Sequence, residues 1–277
     1  MVISDPNEAA AELAELMRGK KTLAITGAGI STDSGLPDYR GQGTTEKPSI
    51  EYDMFVADPV WQRWVWQRNH ETWRVFEALE PSAGHVALAR LEEAGLISGV
   101  ATQNIDGLHT KAGSVNVWEL HGSFARARCV DCGRVIPRED YAADLDALNP
   151  GWPQYDRDPA VLATADRDDA EASMFRVAPC SACGGLMKPA VVFFGEGLPG
   201  DDMDAAMRAA SDADVALVVG SSLVVNTGMW ITRQAWATDS PLAIINYGPT
   251  AADGICDLRI DAGASETLSA LTDLLLA

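Results

Sequence analysis

A run of apolar and β-branched residues, Lys21-Thr22-Leu23-Ala24-Ile25-Thr26, leads straight into Gly27-Ala28-Gly29-Ile30-Ser31. A strand feeding closely spaced glycines is how a dinucleotide-binding sheet begins. Gly27 and Gly29 let the backbone turn sharply and approach a pyrophosphate, with bare N–H groups facing the anion. The dehydrogenase form of this pattern needs Gly or Ala at position 32, and Thr32 stands there. The chain then runs through Asp33, Gly35, Pro37, Asp38, Tyr39 and Arg40 to Gly41, a polar loop where a helix would be expected to start.

The rest of the sequence alternates helical and strand patterns. Helices are expected over 7–19, 59–79, 83–95, 202–211, 229–237 and 265–276, and strands over 97–102, 115–120, 214–219, 242–246 and 257–260. Several strands end in polar or small residues. Ile97–Thr102 ends in Gln103-Asn104-Ile105-Asp106, and Val115–Leu120 ends in His121. Asp214–Val219 ends in Gly220-Ser221-Ser222, and Leu242–Asn246 is followed by Tyr247-Gly248. Ligands of open parallel sheets bind beyond the carboxyl ends of strands, so these clusters are placed for chemistry. Lys188–Glu196 reads as a buried strand re-entering the main sheet. Trp61, Trp64, Trp66 and Trp73 on the 59–79 helix form a core stripe or a pocket wall, and Arg63 and Arg68 there suit an anion or a solvated face.

Four of the five cysteines fall into two Cys-x-x-Cys pairs, Cys129 with Cys132 and Cys180 with Cys183. Two such pairs complete a four-sulfur zinc site, which leaves no open position for substrate and is therefore structural. The pairs stand much farther apart than the roughly 15–20 residues of a compact ribbon, so a sub-domain lies between them. Residues 139–172 hold ten acidic residues and read as a solvated, partly irregular arm. The expected class is α/β, a doubly wound parallel Rossmann-like sheet with an inserted small zinc-binding module and a helical insertion. Residues 1–122 and 190–277 form the Rossmann-like domain, with the insertion at 41–80, and 123–189 form the zinc domain.

A net charge of −19, from 40 acidic and 21 basic residues, disfavours nucleic acid and anionic membrane as partners. No apolar run approaches the ~20 residues of a membrane span. The acidic, alanine-rich start is no targeting peptide, so a cytoplasmic location is expected.

Taken together the motifs resemble the sirtuin family over nearly the whole chain. The matching pieces are GAGIS with SGLPDYRG, TQNIDGLH with HTKAG, LHG, the two Cys pairs, KPAVVFFGE, GSSLVV and INYGPT. Tyr39, the GPT after Asn246 and the tryptophan-rich helix are similar to the class II, lipoamidase-like branch, and Asn226-Thr227 departs from the usual Tyr-Pro or Tyr-Ser.

The resemblance implies an NAD-dependent protein deacylase that transfers acyl from lysine to ADP-ribose and releases nicotinamide. NAD is a co-substrate, one structural zinc is bound per chain, and acylated-lysine proteins are the substrates. It implies that His121 is the general base toward a ribose hydroxyl, with Asn104 ordering the ribose and a water and Asp106 holding the nicotinamide carboxamide. NAD would contact Gly27, Ala28, Gly29, Ile30, Ser31, Asp38, Tyr39, Arg40, Gln103, Asn104, Ile105, Asp106, Gly220, Ser221, Ser222, Asn246, Tyr247 and Gly248. The substrate peptide would add as a strand beside Val192, Phe193, Phe194 and Gly195, and beside Val224. Nothing matches the Tyr and Arg pair of the succinyl-selective branch, so lipoyl, biotinyl or other extended acyls are expected over acetyl. Mono-ADP-ribosyl transfer to protein, with the same leaving group and another nucleophile, is the alternative. A non-catalytic NAD-binding scaffold has no use for the base, and a dehydrogenase lacks a hydride site.

Overall fold

Thr22–Thr26 is buried at every residue, as are Val215–Val219 and Leu242–Ile245. Continuous apolar runs of this length are what the central strands of a parallel sheet require when helices cover both faces. The computed structural model describes residues 2–37, 51–152 and 169–277. By its contacts the chain divides into two units, Met1–Gly41 with Glu80–His121 and Pro199–Ala277, and Gln42–Leu79 with Gly122–Leu198.

The first unit is built on a parallel sheet of β1 (Val2–Ile3), β2 (Thr22–Thr26), β3 (Ile97–Thr102), β4 (Val117–Glu119), β8 (Val215–Val219), β9 (Leu242–Ile245) and β10 (Leu258–Ile260). Its order is β1-β10-β9-β8-β2-β3-β4. Alternate side chains go to opposite faces. Ala24, Leu217 and Val219 pack with α1 (Pro6–Met17), α4 (Ala83–Glu93) and α10 (Ala264–Leu275) through Leu13, Met17, Leu88, Leu91, Leu268 and Leu271. Leu23, Ile25, Ala216 and Val218 pack with α8 (Gly200–Ser211) and α9 (Asn226–Trp236) through Ala206, Ala210, Met229, Ile231 and Ala235. A short α5 (Leu108–Lys111) follows β3. The carboxylate of Asp5 caps α1 by accepting from the N–H groups of Asn7 and Glu8, and Ser82 and His85 form a capping box on α4. Gly95, at φ +74°, follows the end of α4.

The second unit holds an antiparallel sheet of β5 (Gly122–Cys129), β6 (Val135–Pro137) and β7 (Met187–Val191), in the order β6-β5-β7. With it go α2 (Tyr52–Ala57), α3 (Pro59–Ala78), α6 (Arg138–Leu148) and α7 (Asp169–Met174). Trp66 is fully buried, donates its indole N–H to Met187 O at 2.7 Å and packs at a tilt against Tyr141, ring centroids 4.4 Å apart. Arg138 is buried too. Its guanidinium lies 5.4 Å from the Trp66 ring and 5.2 Å from the Trp73 ring, and its Nε donates to Asn69 Oδ1 at 2.6 Å. Of the four tryptophans on α3, then, Trp66 and Trp73 are core, while Trp61 and Trp64 meet edge-to-face.

Three expectations are corrected. The segment Lys188–Glu196 does not re-enter the main sheet. Its strand, β7, pairs with β5 in the small sheet and stops at Val191. There Lys188 Nζ donates back to Val191 O at 2.6 Å, and the Phe193 N–H donates to the Glu196 carboxylate at 2.9 Å, so the chain curls instead of extending. Residues 190–198 accordingly group with the second unit, as does the helical insertion. The acidic stretch is also more than a solvated arm. Within it α6 buries Tyr141, Ala142 and Leu145 and turns its acidic residues out, while 153–168 lie outside the described residues. Among the described residues no helix is long and apolar enough to cross a membrane.

Replacing Trp66 with Ala should cost about 3–5 kcal/mol, because it opens a cavity and leaves Met187 O without its donor. Urea unfolding followed by the near-ultraviolet signal of the second unit checks this, and a loss below about 1 kcal/mol would contradict the packing described.

Candidate active site and metal centre

Strand register brings the expected residues of the first unit together. Thr26 of β2 pairs with Thr102 of β3 and with Val219 of β8, and Val219 pairs with Ile245 of β9. The next residue of each strand is Gly27, Gln103, Gly220 or Asn246, so the four loops leave the sheet side by side. Each loop continues the ladder by one bond. Gly27 N–H donates to Val219 O, Gln103 N–H to Thr26 O, Gly220 N–H to Ile245 O and Asn246 N–H to Ile260 O.

The glycines here answer to close approach. A Cβ on Gly27 would stand 2.7 Å from Ser221 Cβ, and one on Gly29 would stand 2.8 Å from Gly220 Cα. Gly220 itself has φ +60°, in the left-handed region. One expectation changes. The N–H groups of Gly27, Gly29, Ile30 and Ser31 donate to the carbonyls of Val219, Gly220, Gly27 and Ala28, so they are not bare. The loop folds into two 3₁₀ turns, Ala28–Ile30 and Thr32–Ser34, and Ala28 and Gly29 remain half-exposed.

Side chains then link the loops. Asn104 Nδ2 donates to Gly27 O and to Ser31 Oγ, both at 3.1 Å. Ser31 Oγ donates to Asp106 Oδ2 at 2.8 Å, and Leu108 N–H donates to Asp106 Oδ1 at 2.9 Å. Burial is the largest influence on the Asp106 carboxyl and raises its pKa against those two bonds. Ser221 Oγ donates to Gln103 Oε1 at 3.0 Å, and Gln103 Nε2 donates to Thr227 Oγ1 at 3.0 Å.

His121 follows β4. Its Nδ1 is 2.9 Å from Gln103 O and its Nε2 is 2.8 Å from Thr227 Oγ1. Burial lowers its pKa, and the bond to Gln103 O opposes this. The ring is therefore neutral at pH 7.

The remaining expected residues are more peripheral. Ile105 and Ser222 are half-buried, and Ser222 O accepts from Ala251 N–H. Asn246 Nδ2 donates to Tyr247 O at 2.7 Å, Tyr247 is 70% exposed, and Gly248 adopts φ +74°. Val224, in the first unit, is exposed. In the second unit Phe193 is buried against Phe55 and the Lys188 ammonium, Phe194 and Gly195 are exposed, and Val192 is half-buried. Asp38, Tyr39 and Arg40 lie outside the described residues.

The other histidines are structural in geometry. His85 and His109 are buried, with ring centroids 4.6 Å apart, and burial pushes His85 down to about 4. His109 bonds Thr26 Oγ1 at 2.8 Å, and His70 faces Asp146 at 3.2 Å. Sequence reasoning noticed Thr227 only as a departure from a motif. Its partnership with His121 depends on a fold-level contact that no local pattern announces.

In the second unit the Sγ atoms of Cys129, Cys132, Cys180 and Cys183 all lie within 4.8 Å of one another. Cys129 to Cys183 is 3.6 Å and Cys132 to Cys180 is 3.8 Å, and none of the four is in a disulfide. Tetrahedral zinc with Zn–S near 2.3 Å puts its sulfurs about 3.8 Å apart, so the donor set fits zinc. Gly133 and Gly184, each one residue past a pair, take φ +73° and +76° and close the two knuckles by donating to Cys129 O and Cys180 O.

Residues 27–227 match the family model described as the Sir2 family. The chain belongs to the Sir2 family. It is 44% identical over 265 residues to NAD-dependent protein deacetylase 1 of Mycobacterium avium (strain 104), covering 95% of this chain and 94% of that protein. It is 40% identical over 255 residues to the NAD-dependent protein lipoamidase sirtuin-4, mitochondrial, of Bos taurus, covering 90% and 81%. Among solved structures, one of Sir2 with a p53 peptide and NAD+ superposes with a TM-score of 0.72 at 32% identity, covering 95% of this chain and 97% of that one.

Cys132→Ser should lower both bound zinc and the melting temperature, because a structural site contributes folding free energy. Metal analysis and a thermal melt of the same sample decide it. Full metal loss with an unchanged melt would refute the structural role.

Proposed function

We propose that this protein is an NAD-dependent protein-lysine deacylase that transfers the acyl group to ADP-ribose, releases nicotinamide and favours lipoyl, biotinyl or other extended acyls. The observation that carries this reading is the state of His121. Its Nδ1 faces a carbonyl, which can only accept, so Nδ1 holds the proton and Nε2 presents a lone pair. A neutral imidazole whose Nε2 faces the Thr227 hydroxyl at a strand end, beside a small-residue cradle and the Asn104–Ser31–Asp106 network, is arranged to take a proton from a hydroxyl. A protein that only bound the dinucleotide would gain nothing from it.

NAD supplies a glycosidic bond whose leaving group, nicotinamide, departs as the carbonyl oxygen of the acyl-lysine attacks C1′. Asp106, in its largely desolvated position, is the group assigned to the nicotinamide carboxamide. Its carboxylate oxygens accept from N–H groups, as the nicotinamide amide presents. Asn104, held by Gly27 O and Ser31, orders the ribose. His121 Nε2 then takes the proton of a ribose hydroxyl, whose oxygen closes on the acyl carbon. A water then adds to the acyl carbon as the carbon–nitrogen bond to lysine breaks, and the products are nicotinamide, the free lysine and O-acyl-ADP-ribose. Gly220, Ser221, Ser222 and Asn246 serve the adenosine half, and Val192–Gly195 and Val224 are assigned to the peptide. Likeness to a lipoamidase supports the extended acyl, and likeness to bacterial deacetylases supports the common deacylase chemistry.

A panel of acyl-lysine peptides with NAD, read by mass spectrometry, tests the assignment. Stoichiometric deacylation with nicotinamide release, fastest on lipoyl or biotinyl peptide, is expected. Ribosylated protein without deacylation would instead establish the ADP-ribosyltransferase alternative. His121→Ala should keep NAD binding and lose about 10²–10⁴-fold in deacylation. Because burial lowers the His121 pKa, the acid limb of kcat/KM should fall below the ordinary histidine value of about 6.5. An acid limb above 7 would contradict that environment.

A further inference from the structure

Thr227 sits in the first turn of α9 and is 6% exposed. Its Oγ1 is the only side-chain atom among the described residues recorded within hydrogen-bond distance of His121 Nε2, at 2.8 Å. The same oxygen accepts from Gln103 Nε2 at 3.0 Å, and Gln103 is fixed at its other end by Ser221 Oγ. The neighbouring Gly228 makes room for this. A Cβ there would stand 2.5 Å from Gln103 Oε1, so Thr227-Gly228 forms a socket for the Gln103 amide. A hydroxyl has one rotatable proton and two lone pairs. With one lone pair committed to Gln103, Thr227 can donate its proton to a neutral Nε2 or offer its second lone pair to a protonated one.

We infer that Thr227 is a positioning residue for the base, aiming Nε2 of His121 before the ribose hydroxyl arrives and accepting from Nε2–H after the proton has moved. This rests on the reading of His121 as the general base. The balance is simple. The proton passes from the ribose hydroxyl to Nε2, the electron pair of that O–H bond becomes the new bond from ribose oxygen to acyl carbon, and the carbon–nitrogen π pair left by the first attack moves onto the lysine nitrogen. Thr227 keeps its own proton throughout and only turns it. As the ribose oxygen leaves to form that bond, Nε2–H needs another acceptor, and Thr227 Oγ1 is the one at hand. Hydrogen bonds to an ionised ring are roughly twice as strong as those to a neutral one, so the protonated form gains more from Thr227. The help therefore falls on turnover more than on binding.

Thr227→Val keeps the shape and removes the hydroxyl, and Thr227→Ser keeps the hydroxyl. With an acyl-lysine peptide and NAD, steady-state kcat and KM are measured together with exchange of labelled nicotinamide into NAD, which precedes the step of His121. The valine variant should lose about tenfold in kcat, the order expected for one lost hydrogen bond to an ionised group. Its KM for NAD and its nicotinamide exchange should stay within about threefold of the wild type, and serine should restore most of kcat. Wild-type kcat in the valine variant would overturn the inference. So would a loss that serine does not repair, or an equal loss of exchange with a lowered melting temperature. Thr227→Ala, which also lacks the hydroxyl, takes the place of the valine variant should that one not fold. Full deacylation by His121→Ala would remove the base itself, an outcome separate from any result at Thr227.

Discussion

The alignment of four parallel strands at their carboxyl ends is the constraint on which the site depends. Thr26, Thr102, Val219 and Ile245 stand in one row across β3, β2, β8 and β9. Because side chains alternate along a strand, a slip of one residue would turn each buried set toward the wrong helical layer. Both faces of this sheet are packed, so the register is fixed by the core on each side. The loops inherit that precision. Gly27 and Gly29 lie close enough to Gly220 and Ser221 that any side chain there would collide, and main-chain bonds join the two loops directly.

A site made this way has to reconcile burial with polarity. Leaving a buried donor or acceptor unpaired costs about 1–3 kcal/mol, more than a typical hydrogen bond contributes. The loops meet this by pairing polar groups with each other. Asn104, Ser31 and Asp106 form one chain of bonds, and Ser221, Gln103, Thr227 and His121 form another. The histidines resolve the same conflict by staying neutral. His85, His109 and His121 all have pKa values lowered by desolvation, and each turns a ring nitrogen toward a hydroxyl, of Ser82, Thr26 and Thr227 respectively.

The second unit faces a different shortage. Its sheet has three strands, two of them short, and small sheets with modest cores need an added staple. Two devices serve. Trp66, Tyr141 and Phe175 with the sandwiched Arg138 fill the space between α3 and α6, and the four thiolates tie the end of β5 to the turn before β7. Among the described residues Arg138 donates its hydrogen bonds to Asn69 and to no carboxylate. Aromatic faces and the Asn69 amide carry its charge instead, which is possible because a guanidinium is weakly hydrated and stacks well on rings.

What could be read from the sequence was what local chemistry determines. Unbroken apolar runs announced β2, β8 and β9, and the glycines and polar residues after them announced the loops that leave the sheet side by side, because both signals lie within a few residues of each other. The knuckles were equally visible, since two thiolates and a following glycine define a turn by themselves. What escaped depends on partners distant in the chain. Ala190 to Phe194 has the composition of a buried strand, yet Lys188 and Glu196 fold it back after Val191. The glycine loop has the composition of an anion nest, yet Val219 and Gly220 supply carbonyls that use its N–H groups. Thr227 is the sharpest case. A threonine after a strand-end loop carries no signal of its own, and its meaning comes from a histidine 106 positions earlier and a glutamine 124 positions earlier. Composition can say that a histidine stands at a strand end; only the register that brings β3, β4 and the start of α9 together can say which hydroxyl it faces.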